Sequence, residues 1–228
     1  MLKTFFVDKG LVSYRDCWEF QEELFEKVLQ AKINLPENGI APNYLVFCEH
    51  PHVYTLGKSG EESNLLIDMI QLQAKNAEFI KTNRGGDITY HGPGQIVGYP
   101  IIFLEEFNMS VKKYIFNLEE VIILTLQNLG ITAGRLVGAT GVWLEANTIN
   151  ARKICAIGVR VSRFVTMHGF ALNINTDLSY FNYINPCGFT DKKVTSLQKE
   201  LNSIQNIDNV KSILKNNFAK IFKMDFSS

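Results

Sequence analysis

The sequence predicts an α+β fold in which a mixed, largely antiparallel sheet is flanked by helices. Two observations favour this class. Segments with the strand pattern outnumber segments with the helical pattern, and several of the strands are joined by short turns.

Apolar residues at helical spacing predict the helices. In residues 15–32 the apolar stripe includes Trp18, Leu24 and Val28, with acidic residues outside it. Ser110 is suited to cap a second long helix that runs to Leu129. Residues 67–76 carry a weaker helical pattern, and the C-terminal part of the chain carries further ones.

Short apolar runs and alternating residues predict the strands. A polar turn between two strand patterns predicts a hairpin, and the alternation that starts at Phe170 predicts a half-buried strand. The predicted strands are residues 44–48, 78–82, 96–104 and 170–175, and the hairpin joins residues 141–145 to 153–161.

Composition indicates an ordinary globular protein, and we expect one domain over residues 1–228. Lys plus Arg and Asp plus Glu are both 23, which argues weakly against bulk nucleic-acid binding. No apolar run has the length of a membrane span, and the N-terminus lacks a signal-peptide core. The four cysteines form no Cys-x-x-Cys pair and no cluster of zinc-finger spacing. We therefore expect a cytoplasmic protein without a disulfide framework.

Residues 84–95 form an unusual glycine-rich stretch between strand patterns. Its glycines allow a ligand to approach the backbone closely, and Thr89, His91 and Gln95 add polar groups. The stretch is neither a P-loop nor a dinucleotide fingerprint, because no Gly-Lys-Ser/Thr follows and the glycine spacing differs. The pattern alone fits a ligand site and a pair of turns at strand ends equally well.

Several ordered motifs resemble the lipoyl(octanoyl) transferase family. The first is Arg-Gly-Gly-x-x-Thr-Tyr-His-Gly-Pro-Gly-Gln-x-x-x-Tyr, which begins at Arg84 and ends at Tyr99. The others are the segments 49–57, 141–143, 152–160, 168–173 and 184–188. Their order and spacing match from about residue 45 to residue 197, so the resemblance covers most of the chain. It implies the fold of the biotin and lipoate ligase catalytic domain.

The resemblance also implies the reaction and its partners. Such an enzyme moves an octanoyl (or lipoyl) group from acyl carrier protein to a lysine of a lipoyl domain. The acceptors would be the lipoyl domains of 2-oxoacid dehydrogenases and the glycine-cleavage H protein. It implies no cofactor, no metal, no nucleic acid and no membrane partner.

Cys187 and Lys153 occupy the positions of the family's catalytic pair. Cys187 lies in Asn-Pro-Cys-Gly, where Pro186 and Gly188 favour a turn that presents the thiol. A free thiol has a pKa of about 8.5, and a neighbouring ammonium favours the thiolate. Alternation along the strand places Lys153 on the same side as Cys155. The other three cysteines, Cys17, Cys48 and Cys155, lie in apolar segments and are expected to fill the core.

The remaining motif positions are expected to bind the substrate. In the first motif these are Arg84, Gly85, Gly86, Asp87, Ile88, Thr89, Tyr90 and His91. In the hairpin and the strand after it they are Ala156, Ile157, Gly158, Gly169, Phe170 and Ala171, which suit a narrow acyl slot. Basic residues near the site are candidates to dock an acidic carrier, namely Lys58, Arg84, Arg160 and Arg163. Ordinary solvated surface charge is the alternative and is favoured for Arg163, whereas Arg84, which precedes two glycines, is alternatively expected to contact the acyl head or to hold the loop.

Four alternatives stay open at this point. A histidine, His91 or His168, is a possible base for Cys187 in place of Lys153. An ATP-dependent lipoate ligase would activate the acid as an adenylate and would need no cysteine. A thioester hydrolase would use water as the acceptor, and a binding module would use no nucleophile. Trp143 and the turn after it are expected to vary freely, without a catalytic part.

Overall fold

The computed structural model describes residues 2–34, 41–185 and 193–226. Its strands are β1 Leu2–Leu11, β2 Asn43–Glu49, β3 Val53–Leu56, β4 Glu78–Lys81, β5 Ile88–His91, β6 Gln95–Ile101, β7 Gly134–Leu136, β8 Ala139–Leu144, β9 Arg152–Ser162, β10 Val165–Asn173, β11 Lys193–Val194 and β12 Met224–Asp225. Its α-helices are α1 Tyr14–Ile33, α2 Met69–Ala74, α3 Val111–Asn128, α4 Leu197–Leu201 and α5 Ile207–Phe222, and two 3₁₀ helices span Glu62–Asn64 and Leu178–Tyr183.

The main sheet has the strand order β12-β1-β2-β6-β10-β9-β8-β7, with β11 paired to β9. The pairs from β2 through β6, β10, β9 and β8 to β7 are antiparallel. The pairs β1-β2, β1-β12 and β9-β11 are parallel. The predicted fold class, a mixed and largely antiparallel sheet, is therefore confirmed.

Helices cover both faces of this sheet. Helix α1 begins after Ser13, whose hydroxyl accepts the N–H of Asp16 at 3.1 Å, and it packs against β2, β6 and β10. Ser110 caps α3 in the predicted way, and its hydroxyl accepts the N–H of Lys113 at 3.2 Å. Helices α3 and α5 pack on the opposite face and bury Leu118 and Phe218 completely. The central strands therefore lie between two apolar layers.

A second, three-stranded sheet has the order β4-β3-β5. Strand β3 pairs parallel with β4 and antiparallel with β5. The chain leaves this sheet at His91 and enters the main sheet at Gln95. The short turn at residues 92–94 therefore keeps the ends of the two sheets close together. The glycine-rich stretch thus contains a short strand, β5, with bends before it and a turn after it, so turns do stand at its strand ends.

Several predicted elements differ from those observed. The strand predicted from Phe170 begins at Val165 and is buried along its whole length, because helices cover both faces of the sheet there. The helix predicted over residues 67–76 is the short α2. The strand predicted over residues 96–104 ends at Ile101, and the N-terminal strand β1 was not predicted.

No helix in the described ranges is long and apolar enough to cross a bilayer. The cysteines Cys17, Cys48 and Cys155 are fully buried, as predicted. Cys187 lies outside the described residues.

Candidate active site

A cavity of about 470 Å³ lies where β5, β6, β9 and β10 meet the chain around Arg84. Its walls include Phe170 and Ala171 from β10 and Ala156 and Gly158 from β9. Apolar side chains form much of the wall, and Arg84 and Lys153 add charged groups, so the cavity suits an apolar ligand with a polar head group.

Glycines let the Arg84–Gly86 segment lie directly on β9. The N–H of Gly85 donates to the carbonyl of Val159 at 2.9 Å. A Cβ on Gly158 would lie 2.9 Å from the Gly85 carbonyl oxygen, so only glycine fits there without a shift. Gly86 has a φ of +86°, which favours glycine. At this point the glycines allow a close approach of backbone to backbone, whereas the sequence predicts the approach of a ligand.

Arg84 holds the segment from within the protein. Its side chain is 7% exposed, and its guanidinium donates to the carbonyl of Thr55 at 2.6 Å and to the Thr55 hydroxyl at 2.9 Å. It also donates to the carbonyl of Gly85 at 3.0 Å. Of the roles predicted for Arg84, the structure supports holding the loop, since a buried guanidinium cannot meet a carrier protein at the surface.

Asn64 connects the glycine-rich segment to the chain that leads to Cys187. Its side-chain amide donates to both carboxylate oxygens of Asp87, at 3.0 and 2.9 Å. Its backbone carbonyl accepts the N–H of Asn185 at 2.8 Å. Asp87 in turn accepts the N–H of Ile88 at 2.6 Å, which fixes the start of β5. This bridge was not predicted, because Asn64 lies outside the motifs.

His91 is buried and neutral. Its Nδ1–H donates to Oε1 of Gln95 at 2.9 Å, and its Nε2 lies 3.3 Å from the Thr55 hydroxyl. Burial, together with nearby His50 and Arg84, holds the pKa of His91 well below its usual range. The ring therefore continues the hydrogen-bond network of Arg84 and Thr55 along the cavity wall.

His168 is also buried, and its backbone is strained. It has a φ of 57°, and its Nε2–H donates to Oδ1 of Asn83 at 2.6 Å. Its Nδ1 has no hydrogen-bond partner among the described residues. Burial and the neighbouring cations Arg84 and Arg160 lower the pKa of His168 to about 3. The lowered pKa values make His91 and His168 weak proton acceptors, which weakens the alternative in which a histidine is the base for the thiol.

Lys153 lines the cavity because of a β-bulge. Val142 pairs with Cys155, but the next residue, Trp143, pairs with Lys153, so β9 contains one extra residue. Cys155 packs into the core below α3, whereas Lys153 faces the cavity. The prediction that Lys153 and Cys155 share a side is therefore wrong, since strict alternation does not hold across the bulge.

The ammonium of Lys153 lies over an aromatic ring. Its Nζ is 4.7 Å from the ring centroid of Trp143, whose side chain is 2% exposed. The indole N–H donates to the carbonyl of Ala139 at 3.2 Å and fixes the ring. Trp143, which was expected to vary freely, is thus a support for the predicted catalytic lysine.

The described residues on either side of Cys187 lie near these groups. Asn185, two residues before Cys187, is bonded to Asn64. Val194, seven residues after it, pairs with Lys153 in the β11-β9 ladder and lines the cavity.

The cavity collects most of the predicted substrate-binding residues. Besides Lys153 these are Arg84, Gly86, Asp87, Ile88, Thr89, His91, Ala156, Ile157, Gly158, Gly169, Phe170 and Ala171. Gly85 and Tyr90 do not line it. Tyr90 is fully buried in the small sheet, and its hydroxyl lies 2.7 Å from Nδ1 of His52.

Other lining residues were not predicted to bind substrate, namely Tyr14, Gln95, Val97, Tyr99 and Asn173. Gln95, Val97 and Tyr99 stand inside the first motif and Asn173 ends the segment 168–173, and those positions were the available signal. Tyr14 enters through the packing of α1, which no local pattern marks.

The remaining docking candidates are scattered. Arg160 contacts Glu22 at 3.3 Å and its guanidinium lies over the ring of Phe25, so it is already engaged. Lys58 and Arg163 are exposed, and neither lines the cavity.

This fold is the one found in the catalytic domains of lipoate protein ligases. The structure superposes on a bipartite lipoate protein ligase from Thermoplasma acidophilum with a TM-score of 0.73 and 14% identity, covering 100% of this chain and 87% of that chain. The model of the family "Lipoyl protein ligase A/B catalytic domain" matches residues 13–219. The chain belongs to this family.

Bacterial relatives extend over nearly the whole chain. A protein of Flavobacterium psychrophilum named octanoyltransferase is 57% identical over 219 residues, with 94% of each chain covered. One of Cytophaga hutchinsonii with the same name is 52% identical over 223 residues, covering 95% of this chain and 91% of its own. The chain is accordingly an acyltransferase of this family.

Proposed function

We propose that the chain transfers an octanoyl group from acyl carrier protein to the amine of a specific lysine in a lipoyl domain, through a thioester on Cys187. The relatives named octanoyltransferase support the octanoyl group and the transferase activity. We extend the proposal to the single domain, residues 1–228, and to a cytoplasmic location, where a thiol nucleophile stays reduced.

The observation that carries the proposal is an apolar cavity with a lysine in its wall. Phe170, Ala171 and Ala156 provide apolar surface, and Lys153 stands at the same cavity. Each buried methylene contributes roughly 0.8 kcal/mol, so an eight-carbon chain is held by about 5 kcal/mol without polar contacts. The polar head of the acyl group then lies near the lysine.

In the first step the Cys187 thiolate attacks the carbonyl carbon of the carrier thioester. The Lys153 ammonium favours the thiolate by its charge. A bond forms between the Cys187 sulfur and the carbonyl carbon, and the bond to the carrier sulfur breaks. The departing carrier thiolate takes a proton from Lys153, which leaves that lysine as a neutral amine.

In the second step the neutral lysine acts as a base. The acceptor amine attacks the acyl-enzyme, and its proton passes to Lys153. The new carbon–nitrogen bond is kept while the bond to the Cys187 sulfur breaks. Thiolate and ammonium are then restored. Because one thioester replaces another before the amide forms, the reaction needs no nucleotide.

Several groups surround the acyl head in this proposal. In the glycine-rich segment, the N–H of Gly86 is a candidate for the oxyanion site, whereas the N–H of Gly85 already donates to the carbonyl of Val159. Gly188 is another candidate and lies outside the described residues. Buried Arg84, through Thr55, keeps the segment in place. The remaining lining residues from the glycine-rich segment and β10 are proposed to hold the acyl chain and its head group.

The experiment mixes the chain with octanoyl-carrier protein and a lipoyl domain, without nucleotide, and follows the mass of the acceptor. We expect one octanoyl group on a single lysine. Transfer that requires ATP and free octanoate would place the chain with the ligases. Release of free octanoate with an unmodified acceptor would indicate a thioester hydrolase, and no reaction at all would indicate a binding module. The same assay with the glycine-cleavage H protein tests the second proposed acceptor.

A further inference from the structure

Cys17 meets Cys48 and His50, which are more than thirty residues later in the sequence, beneath helix α1. Cys17 lies on α1, Cys48 on β2 and His50 just after β2, and all three are fully buried. The Sγ atoms of Cys17 and Cys48 are 3.8 Å apart, and the Cys48 Sγ is 3.4 Å from Nε2 of His50. The three potential ligand atoms all lie within 4.8 Å of one another.

Hydrogen bonding fixes the histidine in the form that binds metal. Nδ1 of His50 lies 2.8 Å from the carbonyl oxygen of Val12, which only accepts, so Nδ1 carries the proton. The lone pair of Nε2 therefore points toward the cysteine sulfurs and the Tyr99 hydroxyl, 2.7 Å away. Metal-binding histidines commonly donate the other ring N–H to a carbonyl in this way.

The distances fit a zinc ion. With Zn–S bonds of about 2.3 Å and Zn–N bonds of about 2.0–2.1 Å, a tetrahedral site has sulfurs about 3.8 Å apart and sulfur–nitrogen edges of about 3.6 Å. The two edges that involve Cys48 are close to these values. We propose that Cys17, Cys48 and His50 form a binding site for a zinc ion, separate from the acyl cavity.

The charges balance when zinc binds. Each thiol loses its proton, the imidazole stays neutral, and two thiolates neutralise the divalent cation, so no net charge is buried. Nε2 of His50 would coordinate the ion with the lone pair that otherwise accepts the hydrogen bond of the Tyr99 hydroxyl. That hydroxyl is then the nearest group for the fourth position.

The ion would hold α1 against the main sheet. Cys17 belongs to the helix, and Cys48 and His50 belong to β2 and the residue after it. Tyr14 at the start of the same helix and Tyr99 beside the site both line the acyl cavity. Zinc binding therefore stabilises one wall of the cavity without touching the acyl group.

The test uses tag-free protein produced in zinc-supplemented medium, dialysed, and analysed for metal by mass spectrometry. We expect one zinc per chain. Refolding with Co²⁺ should give the absorption bands of a tetrahedral site and a sulfur-to-cobalt charge-transfer band. Less than a tenth of an equivalent of zinc, together with no charge-transfer band, would overturn the proposal.

Single cysteine variants identify the ligands. Cys17→Ser and Cys48→Ser should lose the ion, whereas Cys155→Ser, which changes an equally buried thiol, should keep it. Cys187→Ser should also keep it, which separates this site from the proposed catalytic thiol. Retention by Cys48→Ser, or loss from Cys187→Ser alone, would place the metal elsewhere and would contradict the proposal. Because the wild-type stoichiometry is decisive by itself, the test does not depend on the variants folding.

Discussion

At the scale of single residues, the indole of Trp143 sets the environment of Lys153. The ring lies 4.7 Å below the ammonium and is fixed by its own hydrogen bond to Ala139. A cation over an aromatic face gains roughly 0.5 to 2 kcal/mol, depending on how far it is desolvated. In the proposed mechanism, the ring thus places the charge that favours the Cys187 thiolate.

Replacing the ring should slow the first chemical step. Trp143→Leu keeps apolar volume but removes the aromatic face, so we expect acyl-enzyme formation to slow by about 3- to 30-fold, equivalent to roughly 0.7 to 2 kcal/mol. Trp143→Phe keeps an aromatic face, so its rate of acyl-enzyme formation should fall less. Rapid-quench measurement of thioester formation checks this order. Equal rates in both variants and the wild type would show that the ring has no part in the chemistry.

Some residues of the site could be predicted from the sequence motifs and others could not, and the difference has a physical reason. Lys153 and the glycine-rich segment each belong to a motif of consecutive residues, which the sequence shows directly. The structure places both motifs at one cavity. The side of β9 on which Lys153 lies depends on a bulge, which alternation cannot reveal. The contact of Cys17 with Cys48 depends on how α1 packs on the sheet, and the spacing of the two residues in the sequence does not predict it.

At the scale of elements, the crossing of the Arg84–Gly86 segment over β9 determines the shape of the cavity. The segment is bonded to Val159 and lies against Gly158 without an intervening side chain. Strand β11 pairs with the other end of β9, at Lys153. Strand β9 therefore joins the glycine-rich segment to the chain that follows Cys187.

Gly158→Ala tests this crossing. The new Cβ would stand 2.9 Å from the Gly85 carbonyl oxygen, so the segment must move away from the cavity wall. We expect a loss of about 1–3 kcal/mol of stability and a raised KM for the acyl donor. The matched control is Gly134→Ala, where a Cβ meets nothing within 4 Å and should change stability by less than about 0.5 kcal/mol. If both variants show the wild-type KM, the crossing does not shape the donor site.

Strand and helix positions were predictable where one apolar pattern decides them. The hairpin of β8 and β9 and the long helices α1 and α3 follow such patterns, and the structure confirms them. Strand β1 was missed because its exposed and partly buried residues do not alternate cleanly. Strand β5 was missed because its neighbouring glycines suggested turns. Pairing with β3, a contact between distant parts of the chain, makes it a strand.

At the scale of the whole molecule, buried histidines link stability to pH. The chain has four histidines, and burial lowers the pKa of each, to about 4 for His50 and about 3 for His168. In the unfolded chain they take up protons at about pH 6.5. Between that pH and the folded values the unfolded state binds more protons, so the free energy of unfolding falls as the pH falls.

We expect the histidine contribution to the free energy of unfolding to be constant above about pH 7 and to decrease between pH 6.5 and 4.5. Each fully buried histidine adds roughly 1.4 kcal/mol per pH unit to the slope at the acid end of this range. Urea denaturation at half-unit steps of pH measures it. His168→Gln should reduce the slope of the free energy of unfolding against pH by the contribution of one histidine, whatever the substitution does to stability at pH 7. A free energy that is the same at pH 6.5 and pH 5 would contradict the neutral, buried state of these rings.

The most direct measurement of the central claim separates the two steps that Lys153 is proposed to serve. Arginine supplies a positive charge but does not give up its proton, so Lys153→Arg should still form some acyl-enzyme yet fail to pass the group to the acceptor. Lys153→Ala should impair both steps, and Cys187→Ser should form no hydroxylamine-labile thioester. Single-turnover kinetics with octanoyl-carrier protein, followed by addition of the lipoyl domain, resolve the steps. The account predicts an octanoyl thioester on Cys187 that persists in Lys153→Arg. Transfer at the wild-type rate in that variant, or in Cys187→Ser, would contradict it.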